Sequence, residues 1–162
     1  MRTAWVLAAL VAASLLAAQS DGRRKSGLPD PPKKDVPYII HADLLVETET
    51  GEAREETRKD EQIYTIAGAR SAVKTPLAGP EFLFHAEAIP PDKLQLFKLE
   101  SKNGRREVVV LRKKKPVARP LRLSVYRIQE RLFKIRVDES LAPGQYSLSP
   151  EGSNTVFCFA VE

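Results

Sequence analysis

Short, strand-like segments separated by turn residues run through this chain from residue 38 onward, and they constrain the fold more than any other feature. The segments alternate apolar and polar residues or are apolar throughout, and glycine- or proline-containing turns lie between them. The predicted strands are Tyr38–Glu47, Gln62–Ala67, Glu81–Glu87, Leu94–Glu100, Arg106–Leu111, Leu121–Ile128, Leu132–Val137, Gln145–Leu148 and Thr155–Val161. No stretch after residue 20 carries a convincing amphipathic helical pattern. We therefore expect an all-β fold, an antiparallel β-sandwich of immunoglobulin-like type with about 8–9 strands.

Two hairpins are the most definite local predictions. The first turns at Asn103-Gly104, because asparagine and glycine adopt the positive φ angles that tight hairpin turns require. The second joins Leu121–Ile128 to Leu132–Val137. The stretch 52–61 (EAREETRKDE) favours helix by composition but has no apolar face, so an edge strand or hairpin arm fits it better. Prolines at 90–91 and 116–120 predict connections that cross between sheets.

The last segment, Thr155–Val161, is apolar on both faces and predicts a central, buried strand. Its Cys158 is the one cysteine of the chain, so no internal disulfide can form. Because Cys158 lies between two phenylalanines, we expect a small buried hydrophobic residue rather than a reactive thiol.

The N-terminal residues predict where the protein is located. Arg2 precedes an apolar stretch from Ala4 to Ala18, and Ala18-Gln19-Ser20 fits the small-residue rule for signal cleavage. The sequence predicts a signal peptide over 1–20, a flexible linker rich in proline and basic residues over 21–37, and a β-sandwich domain over 38–162. The expected location is periplasmic or secreted. A retained N-terminal anchor is the alternative, since basic residues at 23–25 oppose translocation.

The C-terminal sequence LAPGQYSLSPEGSNTVFCFAV carries one family resemblance. It resembles the end of small exported bacterial β-sandwich domains of uncharacterised function. In those domains an L-x-P-G-[EQ]-Y strand leads into a final strand rich in phenylalanine and glycine. The resemblance implies an exported bacterial β-sandwich and implies no activity.

Both histidines of the chain occur in His-Ala-acid tripeptides, His41-Ala42-Asp43 and His85-Ala86-Glu87. In a strand, residues i and i+2 point to the same side, so each tripeptide presents an imidazole and a carboxylate together. Were the two strands neighbours, these four groups could bind zinc or another transition metal. The alternative is two ordinary solvent-facing strand ends.

Charge is distributed unevenly along the chain. Residues 43–61 contain eight acidic and three basic residues, whereas 93–136 contain fifteen basic and three acidic residues. Strand alternation predicts a basic sheet face that would attract polyanions. Its candidate contact residues are Arg112, Lys113, Lys114, Lys115, Arg122, Arg127, Lys134 and Arg136. The alternatives are edge-strand protection or internal pairing of the basic segment with the acidic one.

No sequence signature of catalysis is present: there is no G-x-S-x-G, no phosphate-binding glycine loop and no H-E-x-x-H. We therefore expect a non-enzymatic binding or interaction module without a cofactor. Its expected partner is an envelope protein, an anionic polymer or a lipid surface, and nucleic acid is not expected because export removes that target. The competing hypotheses are a metal-binding protein or metal-dependent enzyme, and a structural subunit without a small ligand.

Overall fold

A computed structural model describes residues 27–162 of the chain. The predicted signal peptide and the first six residues of the predicted linker lie outside this region. Within it, the helical structure is a single 3-10 turn, Pro91–Lys93. In chain order the strands are β1 (Pro37–His41), β2 (Leu44–Glu47), β3 (Glu49–Glu52), β4 (Arg54–Arg58), β5 (Glu61–Ala67), β6 (Lys74–Thr75), β7 (Glu81–His85), β8 (Leu94–Lys102), β9 (Arg105–Arg112), β10 (Lys115–Pro116), β11 (Leu123–Arg127), β12 (Leu132–Val137), β13 (Gly144–Pro150) and β14 (Thr155–Val161).

The strands form two sheets. The first sheet has the order β11-β12-β7-β1-β2 and is antiparallel throughout. The second has the order β3-β14-β13-β8-β9-β5-β4, with β10 added to β9 and β6 added to β14. Only β6 pairs in parallel among the described strands. The prediction of an all-β antiparallel sandwich is confirmed. Fewer strands were predicted than the fold contains, because the predicted strand Tyr38–Glu47 is two strands, β1 and β2, and because β3 and the two-residue strands were not predicted.

The strand order is that of an immunoglobulin-type sandwich. β1, β7, β12 and β11 lie side by side as strands A, B, E and D do, and β8, β13 and β14 correspond to C, F and G. Residues 44–67, which form β2 to β5, are inserted between the first strand and β6. The proline-containing segments at 90–91 and 116–120 connect one sheet to the other, as predicted.

The main core lies between the two sheets. Phe82 and Phe84 of the first sheet meet Leu96, Tyr146 and Phe159 of the second, and all five side chains are buried. The rings of Phe82 and Phe159 pack edge to face with their centroids 5.2 Å apart. Aromatic side chains contribute a large part of the apolar area that a domain core buries, so this layer of side chains holds the two sheets together.

A second, smaller core lies on the face of the second sheet that points away from the first sheet. Strands β4, β5 and β9 of the same sheet, together with β10, form what we call the outer layer. Ile66 of the outer layer packs with Leu99 of β8 and with Val156 and Cys158 of β14. Alternate residues of β14 therefore enter different cores, with Phe157 and Phe159 in the main one. The prediction that β14 is central and buried on both faces is confirmed, and Cys158 is 1% exposed.

Local turn chemistry explains the two predicted hairpins and one corner. Asn103 and Gly104 have φ angles of 52° and 73° and close the β8–β9 hairpin at Lys102 and Arg105. Strands β11 and β12 form the second predicted hairpin. In the PGQY segment, the Tyr146 hydroxyl donates a 2.6 Å hydrogen bond to the Ala142 carbonyl. This is the geometry of a tyrosine corner, which fixes the chain as it enters strand F of such sandwiches.

The segment 27–37, predicted as part of the flexible linker, packs against the domain in its second half. Pro31 and Pro37 are buried, and β1 begins at Pro37. The Asp35 carboxylate accepts hydrogen bonds of 2.8–3.1 Å from the backbone N–H groups of residues 87–89. The packed structure therefore begins before Tyr38, because one carboxylate is matched to three backbone donors from a distant loop.

Candidate binding surfaces

The two His-Ala-acid tripeptides do not come together. Their strands β1 and β7 are neighbours, as the metal hypothesis requires, but they are antiparallel and pair Pro37 with Phe84. That register places His85 opposite position 36, five positions from His41, which is roughly 17 Å along a strand. Glu87 is paired with Lys34 at 2.8 Å. Within 27–162 no group of three His, Cys, Asp or Glu side chains could hold a metal ion, so the structure does not assemble His41, Asp43, His85 and Glu87 into a site.

The predicted basic face is divided between the two sheets. Arg112 to Lys115 lie at the β9–β10 turn of the outer layer, whereas Arg122, Arg127, Lys134 and Arg136 belong to the β11–β12 region of the first sheet. The prediction that these eight residues form one continuous basic face is therefore wrong. Sequence alternation alone could not show this, because it does not say which sheet a strand joins.

The first-sheet group is largely paired with carboxylates. Lys134 contacts Glu81 at 2.7 Å. Arg122 lies 3.6 Å from Glu139, and Arg136 lies 3.7 Å from Asp138. Exposed pairs of this kind contribute little stability, but they cancel much of the field that an anionic partner would feel.

Arg127 does not lie on the predicted basic face. It pairs with Phe133 and shares the parity of Leu123 and Val125, while Ser124 and Tyr126 lie on the opposite face of β11. Its guanidinium donates to the Gln129 carbonyl at 3.3 Å within the turn. It is therefore not a neighbour of Lys134 and Arg136.

The outer-layer group is different, because most of its charges have no carboxylate partner among residues 27–162. Lys113 and Lys114 form the two-residue turn between β9 and β10, with φ angles of 49° and 61°. The backbone N–H of Lys113 donates to the Asp60 carbonyl, which places the adjacent β4–β5 turn and its Lys59 beside it. We call Lys59, Lys113, Lys114 and Lys115 the basic tip.

In the described part of the chain, no carboxylate oxygen lies within 4 Å of an ammonium group of the basic tip. Arg112, in contrast, is bound to Glu61 at 2.8 Å. An open cavity of about 550 Å³ lies between the two turns, and its charged lining consists of Lys59, Lys113 and Lys114 together with Glu55, Asp60 and Glu61. Non-glycine residues at positive φ carry a conformational cost, and here two successive lysines carry it.

The acidic segment lies beside the basic one, which confirms internal pairing for part of the charge. Strand β5 pairs with β9, and Glu56 contacts Arg105 at 2.9 Å. The deepest contact joins Glu49 of β3 to Arg106 of β9 at 2.8 Å. Arg106 is 1% exposed and also donates to the Ala67 and Gly68 carbonyls, at 2.7 and 2.9 Å.

The environment of Glu49 favours its charged form. Burial alone would raise the pKa of the Glu49 carboxyl, but hydrogen bonds from Arg106 and Ser71 outweigh burial and lower that pKa from its ordinary value. No sequence pattern indicated this pair, because both residues occur in strongly charged segments that are typical of surfaces.

A gap between β8 and β9 is a second feature that sequence reasoning missed. The hairpin keeps only three residue pairs, from Lys102–Arg105 to Glu100–Glu107, and beyond Glu107 strand β9 leaves β8 while it stays paired with β5, its partner from Arg105 to Arg112. Cavities of about 290 Å³ and 270 Å³ lie on the two sides of this gap, and both are lined by Phe97 and Val108. The segment 117–121 closes its far end, since Val117 donates to Val110 and Leu121 donates to Leu96.

Comparison of the chain with protein-family models, curated proteins and solved structures finds no significant match. In residues 27–162, no helix has the length and apolar character needed to cross a membrane.

Proposed function

We propose that this protein is a non-enzymatic binding module that acts outside the cytoplasm and contacts an anionic surface through the basic tip. The main support is that Lys59, Lys113, Lys114 and Lys115, on two adjoining turns, form no ion pair with any carboxylate in the described part of the chain. The other basic residues of the predicted face cannot join this cluster of lysines, because they are paired with carboxylates or lie on the first sheet. The predicted signal peptide supports an address where anionic lipid and acidic polysaccharide are the available polyanions.

The position of the tip favours contact with an extended surface. Two turns project together at the end of the outer layer, so several ammonium groups can approach one plane at once. Basic residues close to an anionic membrane surface contribute about 1 kcal/mol each. Three lysines at Lys113–Lys115 are therefore worth on the order of 100-fold in affinity at low salt.

The test is cosedimentation of the full chain with phosphatidylglycerol vesicles and, in a parallel arm, retention on an acidic polysaccharide. Binding at low salt that disappears by about 0.3 M salt is expected, because screening shortens the reach of surface charge. Replacing Lys113, Lys114 and Lys115 with glutamine should remove most of the binding.

A matched control removes three lysines that are already paired. Lys33, Lys34 and Lys93 contact Glu47, Glu87 and Glu151 at 2.6, 2.8 and 3.2 Å. Their replacement by glutamine changes the net charge equally but should weaken binding far less. Equal loss in both triple variants would show a net-charge effect without a specific surface, and absence of low-salt binding would end the proposal.

A further inference from the structure

Strand β9 carries an apolar run that the fold leaves incompletely covered. Val108, Val109, Val110 and Leu111 are consecutive and apolar, which is the pattern of a strand buried on both faces. Each of them is only half-buried. Successive residues point to opposite sides of a strand, so both faces of β9 are short of apolar contact.

The gap between β8 and β9 accounts for this exposure. Val109 lines the 290 Å³ cavity, Val110 lines the 270 Å³ cavity, and Val108 lines both. Phe97 lies in the middle of β8 and is also only half-buried. Val117, on the segment that closes the gap, is 41% exposed although it lines the larger cavity. Filling this space would remove apolar surface from water without any change in strand pairing.

Charge at the larger cavity selects the kind of ligand. Lys98 and Arg119 line it, and no carboxylate oxygen of the described chain lies within 4 Å of either side chain. Glu107, also at the cavity, already faces Arg58, Lys102 and Arg105 at 3.4, 3.8 and 3.9 Å.

The remaining charges leave room for one anion. Arg112 is balanced by Glu61 at 2.8 Å. Among the described residues, Glu100 is the one further carboxylate at the cavity. Lys98 and Arg119, which pair with no carboxylate of residues 27–162, leave a surplus of one positive charge over Glu100.

We propose that the gap between β8 and β9 is a binding site for an amphipathic monocarboxylate with a linear apolar body. The apolar body occupies the 290 Å³ cavity against Phe97, Val109 and Val117, and the carboxylate lies between Lys98 and Arg119. This site does not depend on the basic tip, and its ligand is a single molecule rather than a surface.

The test uses sodium decanoate, below its micelle-forming concentration, titrated into the full chain by calorimetry. Saturable binding is expected, weakening by about fourfold for each methylene removed, because each buried methylene is worth about 0.8 kcal/mol. Decanol, which has the same chain without the charge, should bind more weakly than decanoate. Absence of saturable binding to the folded protein would overturn the proposal.

Two pairs of variants locate the site. Ala118→Phe fills the cavity from the segment that closes the gap and should reduce affinity by at least tenfold, whereas Ala78→Phe, on an exposed loop, should not. Replacing Lys98 and Arg119 with glutamine should bring decanoate affinity down to that of decanol. Replacing Arg70 and Arg131 with glutamine is the charge control, because both are exposed and neither lines the two cavities. Equal effects of variant and control would show that binding lies elsewhere.

Amide shift mapping of the unmodified protein keeps the proposal testable if Ala118→Phe does not fold. Decanoate should move the resonances of residues 96–100, 108–110 and 117–121. If only Lys59 and Lys113–Lys115 respond, decanoate is attracted to the basic tip alone and the cavity is not a site. That outcome would overturn this proposal and leave the proposed surface binding intact.

Discussion

Removal of the Glu49 carboxylate should destabilise the domain more than any exposed charge change, because it leaves a buried cation. Arg106 is 1% exposed and donates to both Glu49 oxygens, at 2.8 and 3.4 Å, besides the two carbonyls of residues 67 and 68. In Glu49→Ala the guanidinium keeps only neutral acceptors. Breaking a buried pair in this way costs about 3–5 kcal/mol. Glu49 itself is 32% exposed, so water can enter and the lower end, about 3 kcal/mol, applies here.

A thermodynamic cycle measured by urea unfolding at pH 7 isolates the pair. Arg106→Met removes the buried cation, and the double variant leaves no uncompensated charge. The double variant should therefore be at least about 1.5 kcal/mol more stable than the sum of the single effects predicts. In a thermal scan, Glu49→Ala should lower Tm by about 10 °C for a domain of this size.

Additive effects, or a loss below about 1 kcal/mol in Glu49→Ala, would refute the reasoning. The pH dependence is a second check. The folded-state pKa of Glu49 is lowered from its ordinary value of 4.5, so its contribution to stability is complete above that value and is lost as pH falls through the acid range. The difference between wild type and Glu49→Ala should therefore be largest near neutral pH and shrink as the pH falls below the ordinary pKa of 4.5.

Two further substitutions and one labelling experiment test separate parts of the fold. Asp35→Ala should lower the free energy of unfolding by about 2 kcal/mol, since the carboxylate holds three backbone donors, while the exposed Asp30→Ala should change it by less than about 0.5 kcal/mol in the same urea titration. Tyr146→Phe removes the 2.6 Å bond to the Ala142 carbonyl and should cost about 1 kcal/mol; an unchanged midpoint would deny the corner a stabilising role. Burial raises the pKa of the Cys158 thiol to about 12, so thiol reagents at pH 8 should label it only as urea unfolds the protein, and rapid labelling in native buffer would contradict this.

Local patterns predicted much of the sandwich. Asn103-Gly104 specified its hairpin because the required φ angles are almost a property of those two residues. The two-sided apolar pattern of Thr155–Val161 specified a central strand, and both cores bear this out. These predictions succeeded because their causes lie within a few residues of chain.

The missed features have non-local causes. Charge counting could not single out Arg106, because only the pairing of β9 with β5 and the approach of β3 bury it. Composition assigned Asp35 to a linker, although its partners lie more than fifty residues away. The candidate sites follow the same rule, because the basic tip joins two turns and the gap exists only where β9 leaves β8.

The insertion of residues 44–67 has a consequence for how this architecture could be varied. Each strand pair of the sandwich proper, from β11 through β1 and from β14 through β8, forms without a residue of that segment. The insertion instead supplies one wall of the second core and, through β5, the strand with which β9 stays paired where it leaves β8. Exchanging it for another segment that keeps a carboxylate at position 49 for the buried Arg106 would reshape the gap between β8 and β9 and leave the scaffold in place, so the binding site and the framework can be varied separately.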